Sequence, residues 1–495
     1  MWRGRRRAFS TLSSVSKWDA VVVGGGHNGL TAAAYLARSG LSVAVLERRH
    51  VIGGAAVTEE LVPGFRFSRC SYLQSLLRPS IIKYEKQLQT FCNFMDSLLD
   101  SPTPEIRHDV ESLTDRLKDK LQKSVFWSHR LQQALSLGQK DIVDFMELLV
   151  SPASKVLNNW FEGDVLKATL ATDAVIGSTA SVHTPGSGYV LLHHVMGETG
   201  GDRGGMGSVS LAISNAAREA GAHIITNAEV AQLMVDDKGA VNGVMLADGT
   251  QVQSSVVLSN ATPYRTFMEL LPQNALPEDF LCAIKNLDYS SKGPTKINIA
   301  VDNCPSPARA NTLVIVPRPS PVRMEEIDLA CRDAWNGLPS KQPLIEMTIP
   351  SVLDTTISPP GKHVINLFVQ YTPYKLLEGS WEDPTLREAF AQRCFSLIDE
   401  YASGFSSSII EYDMLTPPDL EKEFGLTGGN IFHGAMGLDS LFLMRPVKGW
   451  SDYRTPLQGL YLCGSGTHPG GGVMGAPGRN AAHVVLQDMK KLTAS

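Results

Sequence analysis

The sequence predicts an α/β fold in which a Rossmann-like dinucleotide-binding domain with a β-meander is interleaved with a second, α+β domain. A β-branched run at 19–23 leads directly into a glycine-rich turn, and an apolar run at 459–463 leads into another. Between them, short apolar runs alternate with turn residues over 221–263, which is typical of a β-meander. Because the two glycine-rich turns stand at opposite ends of 495 residues, we expect the first domain to be assembled from separated segments.

Composition and charge exclude several classes of protein. Hydrophobic residues make up 43% of the chain and charged residues 19%, which is typical of a globular protein with a large core. The 45 Lys and Arg residues and the 50 Asp and Glu residues give a net charge of −5, so no nucleic-acid partner is predicted. The seven Cys never occur in a C-x-x-C spacing, which favours reduced thiols in an intracellular compartment. No apolar run reaches the roughly 18 to 20 residues of a membrane-spanning helix, although peripheral membrane contact remains open.

The first 16 residues differ in composition from the rest of the chain. They contain four arginines and several Ser and Thr residues, and no acidic residue precedes Asp19. This composition is typical of a mitochondrial targeting segment, and the tetrad at 7–10 resembles a matrix-protease cleavage site, with cutting before Ser10. We therefore expect a mitochondrial protein, in the matrix, and the alternative interpretation is a disordered basic tail.

The first glycine-rich turn has the spacing of a dinucleotide-binding site. Gly24 permits the tight turn, Gly26 lets backbone N–H groups approach a pyrophosphate, and Gly29 lets the following helix pack close to the strand. The second strand ends at Glu47, whose carboxylate can accept hydrogen bonds from a ribose diol and would repel a 2′-phosphate. The sequence therefore predicts an unphosphorylated adenosine dinucleotide.

Further features distinguish among the dinucleotides. The pair Gly53 and Gly54, six residues after Glu47, resembles the FAD version of the motif, so FAD is the predicted cofactor. The redox-active Cys pair of the disulfide reductases does not follow, and a second G-x-G-x-x-G after a strand, which would hold NAD(P)H, does not occur. The glycine-rich loop at 464–475 precedes a helical pattern at 479–492, and a loop before a helix N-terminus suits the anionic N1/O2 region of a flavin.

The segment 459–478 resembles the C-terminal signature of the bacterial-type phytoene dehydrogenases, a family that includes carotenoid isomerases and retinol saturases. The segments 24–54, 204–207 and 256–261 are similar to the same family. The resemblance implies a glutathione-reductase-type FAD-binding domain and backbone contact of Val230 with the adenine. The candidate cofactor-binding residues are Gly24, Gly26, Gly29, Glu47, Arg48, Gly53, Gly54, Ala55, Val230, Gly464, Gly472, Val473 and Gly475.

These patterns divide the chain into segments. The predicted parts are a targeting segment, 1–16; an FAD-binding domain, 17–82, 201–263 and 451–495; and a substrate domain, with a mainly helical part at 83–200 and a second part at 264–450. In 201–263 we expect meander strands at 223–225, 228–235, 241–246 and 256–258. In 264–450 we expect strands at 298–301, 344–349 and 364–369, and a helix at 386–401. Compared with the family, the segments near 82 and 200 are shortened, and the expected consequence is an incomplete substrate cavity with intact FAD motifs.

No catalytic residue and no metal ligand is assigned from the sequence. His468 and His433 are candidates for acid–base chemistry, but a histidine in a glycine-rich loop also serves to position the loop. The pair His193 and His194 has no acidic or Cys partner at ligand spacing, so a structural role is favoured over a metal site. No Gly-x-Ser-x-Gly elbow occurs, which disfavours a hydrolase.

The leading hypothesis is an FAD-dependent oxidoreductase that transfers a hydride between flavin and an apolar or amphipathic organic substrate. The second hypothesis is a mitochondrial flavoprotein that acts mainly by binding a protein partner, with weak or lost redox activity. The third is an amine oxidase-like enzyme, which should have an aromatic cage for a neutral amine. The sequence alone does not place Trp160, Tyr189, Tyr371 or Trp381 around such a cage.

Overall fold

The computed structural model describes residues 15–70, 79–104, 113–177, 180–195, 206–272, 275–289, 293–303, 312–315 and 324–494. The strands of these residues are β1 (Val15–Lys17), β2 (Ala20–Val23), β3 (Val43–Leu46), β4 (Thr58–Val62), β5 (Phe65–Ser68), β6 (His223–Ile225), β7 (Val230–Val235), β8 (Val241–Leu246), β9 (Gln251–Gln253), β10 (Val257–Ser259), β11 (Thr295–Val301), β12 (Thr312–Ile315), β13 (Ile345–Thr348), β14 (His363–Val369), β15 (Ile409–Leu415) and β16 (Leu460–Leu462). The α-helices are α1 (His27–Arg38), α2 (Pro79–Leu99), α3 (Leu113–Leu137), α4 (Gln139–Val150), α5 (Ala153–Trp160), α6 (Asp164–Ala171), α7 (Ser187–Val195), α8 (Met206–Glu219), α9 (Glu278–Lys285), α10 (Met324–Trp335), α11 (Pro384–Asp399), α12 (Phe405–Ser408), α13 (Pro417–Phe424) and α14 (Ala476–Ala494).

A five-stranded parallel sheet, in the order β16-β10-β2-β3-β6, takes its strands from three distant parts of the chain. Its central strands are buried on both faces. In β2, Ala20 and Val22 belong to one apolar cluster, whereas Val21 and Val23 belong to another, as the two-residue period of a strand requires. A strand buried on both faces is a continuous apolar run in the sequence, which explains why β2 and β3 could be predicted.

Two layers cover the parallel sheet. Helices α1, α8 and α14 pack on one face, and a four-stranded sheet in the order β1-β9-β8-β7 lies on the other. The predicted meander therefore needs correction. The strands β7 and β8 lie in the covering sheet as expected, but 223–225 and 256–258 are β6 and β10 of the parallel sheet, and the third meander strand is β9.

The covering sheet also contains a strand from the N-terminal region. Strand β1 pairs in parallel with β9, Val15 lying opposite Gln251. This strand begins before residue 17, where we expected the folded chain to start. Cleavage before Ser10 would leave β1 intact.

A second sheet is antiparallel, in the order β12-β13-β14-β11-β15. It contains the three strands expected within 264–450, and helix α11 corresponds to the helix expected there. The side chains of one face, such as Ile297 and Leu367, pack against α11 in an apolar cluster. The opposite face has buried polar side chains, including Lys296, Asn298 and Glu346.

The expected helical region is occupied by α2, α3 and α4, and Phe91, Phe145 and Leu157 share an apolar cluster with residues of α10. Within the described part of the chain, every helix is too short or too polar to cross a lipid bilayer. The six described cysteines are free thiols. The expected shortening near 200 falls within 196–205, which lie outside the described residues, and the one near 82 adjoins 71–78, which also lie outside them.

Candidate active site

A cavity of about 630 Å³ begins at the carboxyl ends of β2 and β3, where Val23 and Leu46 line it, and it extends to the antiparallel sheet. The carboxyl edge of a parallel sheet is where α/β folds bind their ligands. The cavity is bounded by residues from both ends of the sequence, including the N-terminal turn and the C-terminal glycine-rich loop.

The conformation and the packing of the N-terminal turn disfavour side chains. Gly24 has a φ of +96°, and a Cβ on Gly26 would lie 2.9 Å from the amide nitrogen of Asn260. A Cβ on Gly29 would lie only 2.2 Å from the carbonyl oxygen of Gly24. Gly24 and Gly26 line the cavity, whereas Gly29 packs α1 against the turn, as its spacing predicts.

The carboxylate of Glu47 is fixed by the turn that it faces. Its Oε2 accepts a hydrogen bond from the backbone N–H of Gly25 at 2.7 Å, and its Oε1 accepts one from that of Arg49 at 2.8 Å. The residue is 6% exposed and lines the cavity. Because each carboxylate oxygen has two lone pairs, both oxygens keep the capacity to accept a further hydrogen bond from a ligand hydroxyl.

Arg48 lines the cavity and holds a neighbouring helix end. Its guanidinium donates hydrogen bonds to the backbone carbonyls of Glu423, at 2.9 Å, and Lys422, at 3.3 Å, at the C-terminus of α13. A cation at a helix C-terminus is favoured because the carbonyl groups there carry partial negative charge. Arg48 therefore fixes α13, and with it the cavity residue Phe424.

The other predicted cofactor-binding residues divide into two groups. Gly53, Gly54, Ala55, Val230, Gly472 and Val473 line the cavity. Gly464 and Gly475 stand behind the lining, since a Cβ on Gly464 would lie 2.8 Å from the Asn260 carbonyl oxygen and one on Gly475 would lie 2.9 Å from the Thr31 hydroxyl. Their contacts indicate a packing role.

Two histidines hold the C-terminal loop by successive carbonyl groups. His27 Nε2 lies 3.0 Å from the Gly472 oxygen, and His193 Nε2 lies 2.9 Å from the Gly471 oxygen. Burial lowers the pKa of His27 to about 4 and that of His193 to about 3, so both rings are neutral at physiological pH. A carbonyl oxygen can only accept, so the proton of each neutral ring lies on Nε2.

The remaining histidines differ in position. His433 lines the cavity, and burial lowers its pKa to about 3, with Arg445 as a second cause. His194 also lines it and directs Nδ1 at the Val190 carbonyl oxygen, 2.8 Å away. His468 does not line it: its Nε2 lies 3.0 Å from the Leu98 oxygen, which indicates a positioning role. No group of three potential metal ligands occurs among the described residues.

Arg445 is a buried cation held by carbonyl oxygens. It is 3% exposed, and its guanidinium donates to the backbone oxygens of Phe432, Gly434, Ala435, Ser440 and Ser465 at 2.5 to 3.4 Å. Burial lowers its pKa to about 10, so it stays charged at physiological pH. Arg445 therefore joins the loop 432–440 to the C-terminal loop, and its charge adds to the effect of burial in lowering the pKa of His433.

The part of the cavity next to the antiparallel sheet is more apolar than the part next to the glycine turn. Ile176, Phe368 and Phe432 line it together with the carboxylate of Glu346, which is 7% exposed. The four aromatic residues suggested for an amine cage are not among the lining residues: Tyr371, for example, donates its hydroxyl to the Ala180 oxygen at 2.7 Å. The aromatic lining comes instead from phenylalanines and histidines.

Sequence reasoning missed several residues of the site. His27 follows the predicted glycine turn directly, so its place at the start of α1 could have been anticipated. Arg445, Glu346 and Asn260 follow no known spacing, and only the tertiary fold brings them to the cavity or behind it. Asn260 lies within the family-like segment 256–261, but that segment did not indicate its hydrogen bond to the Gly24 oxygen.

Two family models match parts of the chain that together span residues 22–364. Residues 22–88 match the NAD(P)-binding Rossmann-like domain, and residues 81–364 match the flavin-containing amine oxidoreductase family. The second match includes more than half of the 495 residues.

Curated relatives extend the comparison. The chain is 45% identical to pyridine nucleotide-disulfide oxidoreductase domain-containing protein 2 from Rattus norvegicus over 96% of the chain and 94% of the relative. It is 24% identical to the lycopene-forming phytoene desaturase of Pantoea ananas over 94% of the chain and 99% of that protein, which confirms the predicted resemblance. The alignment with the rat protein spans 555 positions, more than this chain possesses, so the relative contains residues that are absent here.

A solved structure has the same fold. Putrescine oxidase with bound putrescine matches with a TM-score of 0.53 and 15% identity over 96% of this chain and all of the other. At this identity the comparison shows the fold alone, and it confirms the predicted combination of a Rossmann-like domain with a second, α+β domain.

Proposed function

The chain belongs to the flavin-containing amine oxidoreductase family, and on that premise we propose that it is a mitochondrial enzyme that transfers a hydride between FAD and an apolar or amphipathic organic substrate. The observation that carries the proposal is the single cavity that joins the glycine turn and Glu47 to an apolar end at Phe368 and Phe432. A dinucleotide site and a substrate site that share one cavity suit direct transfer between the two molecules.

The residues present fit FAD. The positive φ of Gly24 and the contact that a Cβ on Gly26 would make with Asn260 disfavour side chains in this turn, which leaves backbone N–H groups accessible to a pyrophosphate at the N-terminus of α1. Glu47 is held in place with acceptor capacity to spare, as ribose hydroxyls require. The candidate cofactor residues are therefore proposed to bind FAD, with Gly29, Gly464 and Gly475 acting through packing.

When bound, FAD supplies a hydride acceptor and donor. The protein residues supply orientation and burial. His27 and His193 hold the loop carbonyls of Gly472 and Gly471, and Arg445 fixes the loop that contains Phe432. Burial lowers the pKa of His27 to about 4 and that of His193 and His433 to about 3, which makes these histidines weak bases at physiological pH. We therefore assign no proton transfer to them and no covalent nucleophile to the site.

The substrate class is inferred from the lining and from relatives. The side chains of Ile176, Phe368 and Phe432 offer apolar contacts, and Val473 and Met474 extend the apolar lining. The relative from Pantoea ananas is named for phytoene, an apolar molecule. Both observations support a substrate with a substantial hydrocarbon part.

A spectroscopic experiment tests the proposed reaction. The purified chain, loaded with FAD and kept free of oxygen, is mixed with members of an apolar and amphipathic compound panel and with hydrophilic controls. We expect bleaching of the visible flavin absorption by compounds with a hydrocarbon part. Bleaching by hydrophilic compounds alone would contradict the proposed substrate class.

The proposed mitochondrial location is based on the composition of residues 1–16, of which 1–14 lie outside the described residues. Fusion of residues 1–16 to a fluorescent protein tests it: co-localisation with mitochondria is expected, and a diffuse signal would contradict the proposal. A matched fusion with the four arginines changed to glutamine should lose the localisation.

A second candidate function is that of a flavoprotein that binds a mitochondrial protein partner. The observation that favours it is the alignment of 555 positions, because a chain that lacks residues of its relatives can have lost part of its catalytic apparatus. Co-purification of the same partner with wild type and with a flavin-free variant would favour this candidate.

A further inference from the structure

Helix α13 is anchored at both ends, and the two anchors belong to different sheets. Near its N-terminus, Asp419 accepts a hydrogen bond at 2.7 Å from Arg387 of α11, the helix that packs on the antiparallel sheet. At its C-terminus, the carbonyl groups of Lys422 and Glu423 accept hydrogen bonds from Arg48, which follows strand β3 of the parallel sheet. The helix therefore connects the two sheets across the mouth of the glycine turn.

The residue after Arg48 fixes the aromatic ring at the end of α13. The guanidinium of Arg49 forms ion pairs with Glu423 at 2.7 Å and with Glu59 at 2.8 Å. It also lies over the ring of Phe424, 5.1 Å from the ring centroid. The Phe424 ring is only partly buried and lines the cavity. A fixed aromatic ring that is open to a cavity offers a large contact surface to a ligand.

The part of the cavity beside Phe424 is the part that Glu47 marks for a ribose. Segment 228–230 adjoins Glu47, because the backbone N–H of Ala228 donates to the Glu47 carbonyl oxygen at 3.0 Å, and all three residues of the segment line the cavity. A base attached to a ribose at Glu47 would therefore lie between this segment and whatever bounds the cavity opposite to the sheet.

Arg265 joins segment 228–230 to the end of α13. Its Nη2 lies 3.5 Å from the carboxylate of Glu229. A Cβ on Gly425, the residue after Phe424, would lie 3.4 Å from Nη1 of the same guanidinium. The end of α13 and segment 228–230 therefore bound the same part of the cavity.

The positive charge in this part of the cavity is balanced. Three arginines line it, and each is engaged: Arg48 by the carbonyl groups of α13, Arg49 by two carboxylates, and Arg265 by the carboxylates of Glu229 and Glu269 at 3.5 and 3.8 Å. A balanced set of charges beside an aromatic ring suits an uncharged aromatic group, such as a purine base, better than a further phosphate.

We propose that the end of α13 forms a wall of the site for the adenosine half of FAD, with Phe424 packed against that half, so that cofactor binding fixes α13 between the two sheets. The inference rests on the proposed function, because it concerns the same cofactor. Contact with Phe424 removes apolar surface of both partners from water, and the anchors of α13 spare the cost of ordering the ring. The isoalloxazine half takes no part in this contact.

Binding of three probes to the full-length protein, freed of flavin by dialysis, tests the wall. FAD contains both halves of the cofactor, ADP contains the adenosine half, and FMN contains the isoalloxazine half. We expect Phe424→Ala to weaken the binding of FAD and ADP by about tenfold, as loss of a base–aromatic contact does, and to leave FMN unchanged. Unchanged affinity for ADP, or an equal loss for ADP and FMN, would overturn the proposal.

Phe126→Ala is the matched control. Phe126 is also partly buried and also lies beneath an arginine, with the Arg130 guanidinium 5.0 Å from the ring centroid, but it does not line the cavity. This variant should bind all three probes as the wild type does. A loss of ADP affinity as large as that of Phe424→Ala would show that the contact with the ligand is not the cause.

Hydrogen exchange of the wild-type protein gives a second test, which decides if Phe424→Ala does not fold. The backbone N–H groups of Leu420 and Gly425 are hydrogen-bonded to the carbonyls of Thr416 and Glu421. We expect saturating ADP to slow their exchange by about tenfold, because α13 is then held from the cavity side as well, and we expect FMN to leave it unchanged. The same exchange rates with and without ADP would overturn the proposal.

The outcomes for this inference and for the proposed function are distinguishable. A chain whose FAD and ADP binding depends on Phe424, but whose flavin is not bleached by any apolar compound, would support the wall and contradict the proposed reaction. A chain whose flavin is bleached as expected, but whose ADP affinity is the same without Phe424, would support the proposed reaction and overturn the wall.

Discussion

Glu47 and Gly25 are 22 residues apart in sequence, and the carboxylate of Glu47 accepts the backbone N–H of Gly25 at 2.7 Å. The end of β3 is thereby tied to the turn that follows β2, so that the acidic side chain and the glycine turn form one rigid edge of the cavity. The groups that would bind the phosphates and the ribose diol of a dinucleotide are therefore already in position before the ligand binds. Preorganisation of this kind lowers the cost of binding.

Replacement of Glu47 tests this edge. Glu47→Arg removes the acceptor for the Gly25 N–H and places a cation where hydroxyl donors are expected. We predict that the purified variant retains less than about a tenth of the wild-type flavin, since loss of charge-assisted hydrogen bonds costs about 1.5 to 3 kcal/mol. Flavin content per chain is measured by absorbance after heat release. Asp237→Asn, an exposed acidic position, should keep the full content, and equal flavin in both variants would exclude the assigned role.

Gly29 offers a test of the close contact between α1 and the turn. A Cβ there would lie 2.2 Å from the Gly24 carbonyl oxygen, so Gly29→Ala must displace backbone. We expect a loss of about 1 to 3 kcal/mol in the free energy of unfolding, measured by denaturant titration. The matched control is Gly163→Ala, where an added Cβ meets no atom within 4 Å, and its effect should stay within about 0.5 kcal/mol. A harmless Gly29→Ala change would show that the turn is not constrained.

Arg445→Met examines the buried cation. The change leaves five backbone carbonyl groups without their donor, and we expect the free energy of unfolding to fall by about 3 to 5 kcal/mol. Arg332→Met serves as the control, because that side chain is 71% exposed and forms a surface ion pair with Asp328, whose loss costs about 1 kcal/mol or less. Similar losses in the two variants would contradict the structural role of Arg445.

The raised pKa of Asp173 predicts that the free energy of unfolding depends on pH. Its pKa is raised in the folded protein to about 7 from an ordinary value of 3.8, so the folded state retains a proton that the unfolded state releases. The contribution of the protonated Asp173 carboxyl group to the free energy of unfolding is therefore complete below pH 4, and it is lost as the pH rises to about 7. Denaturant titrations at pH 4.5 and 7.5 should show that Asp173→Asn is less destabilising, relative to wild type, at the higher pH. The same difference at both values would refute the raised pKa.

The sequence predicted the parts of the fold that depend on short spacing. The order of strand, glycine turn and helix around Gly24 and Gly29 follows from local sterics, and Glu47 lies where the length of α1 and β3 places it. The partners of a strand do not follow from its own residues. The run at 223–225 has the same pattern whether it pairs in a parallel sheet or in a meander, and its assignment was wrong for that reason.

In the candidate site, too, the contacts between residues far apart in the sequence were not predicted. His193 and Gly471 are 278 residues apart, and Arg445 contacts Ser465 only because two loops converge at the cavity. Patterns of short spacing do not predict which residues from distant segments come into contact. Strand β1 was not predicted, because residues 15 and 16 were assigned to the basic targeting segment that precedes them. Its pairing with β9 involves only three residues, which is too short a run to be recognised from the sequence.

The most direct test of the account is the visible absorption spectrum of the purified chain from Ser10 onward, with identification of any flavin released by heat. We predict a flavin spectrum and about one FAD per chain, because Gly24, Gly26 and Glu47 form a site that fits an unphosphorylated dinucleotide. A folded protein that is colourless, and that takes up no FAD when the cofactor is added, would contradict the central claim.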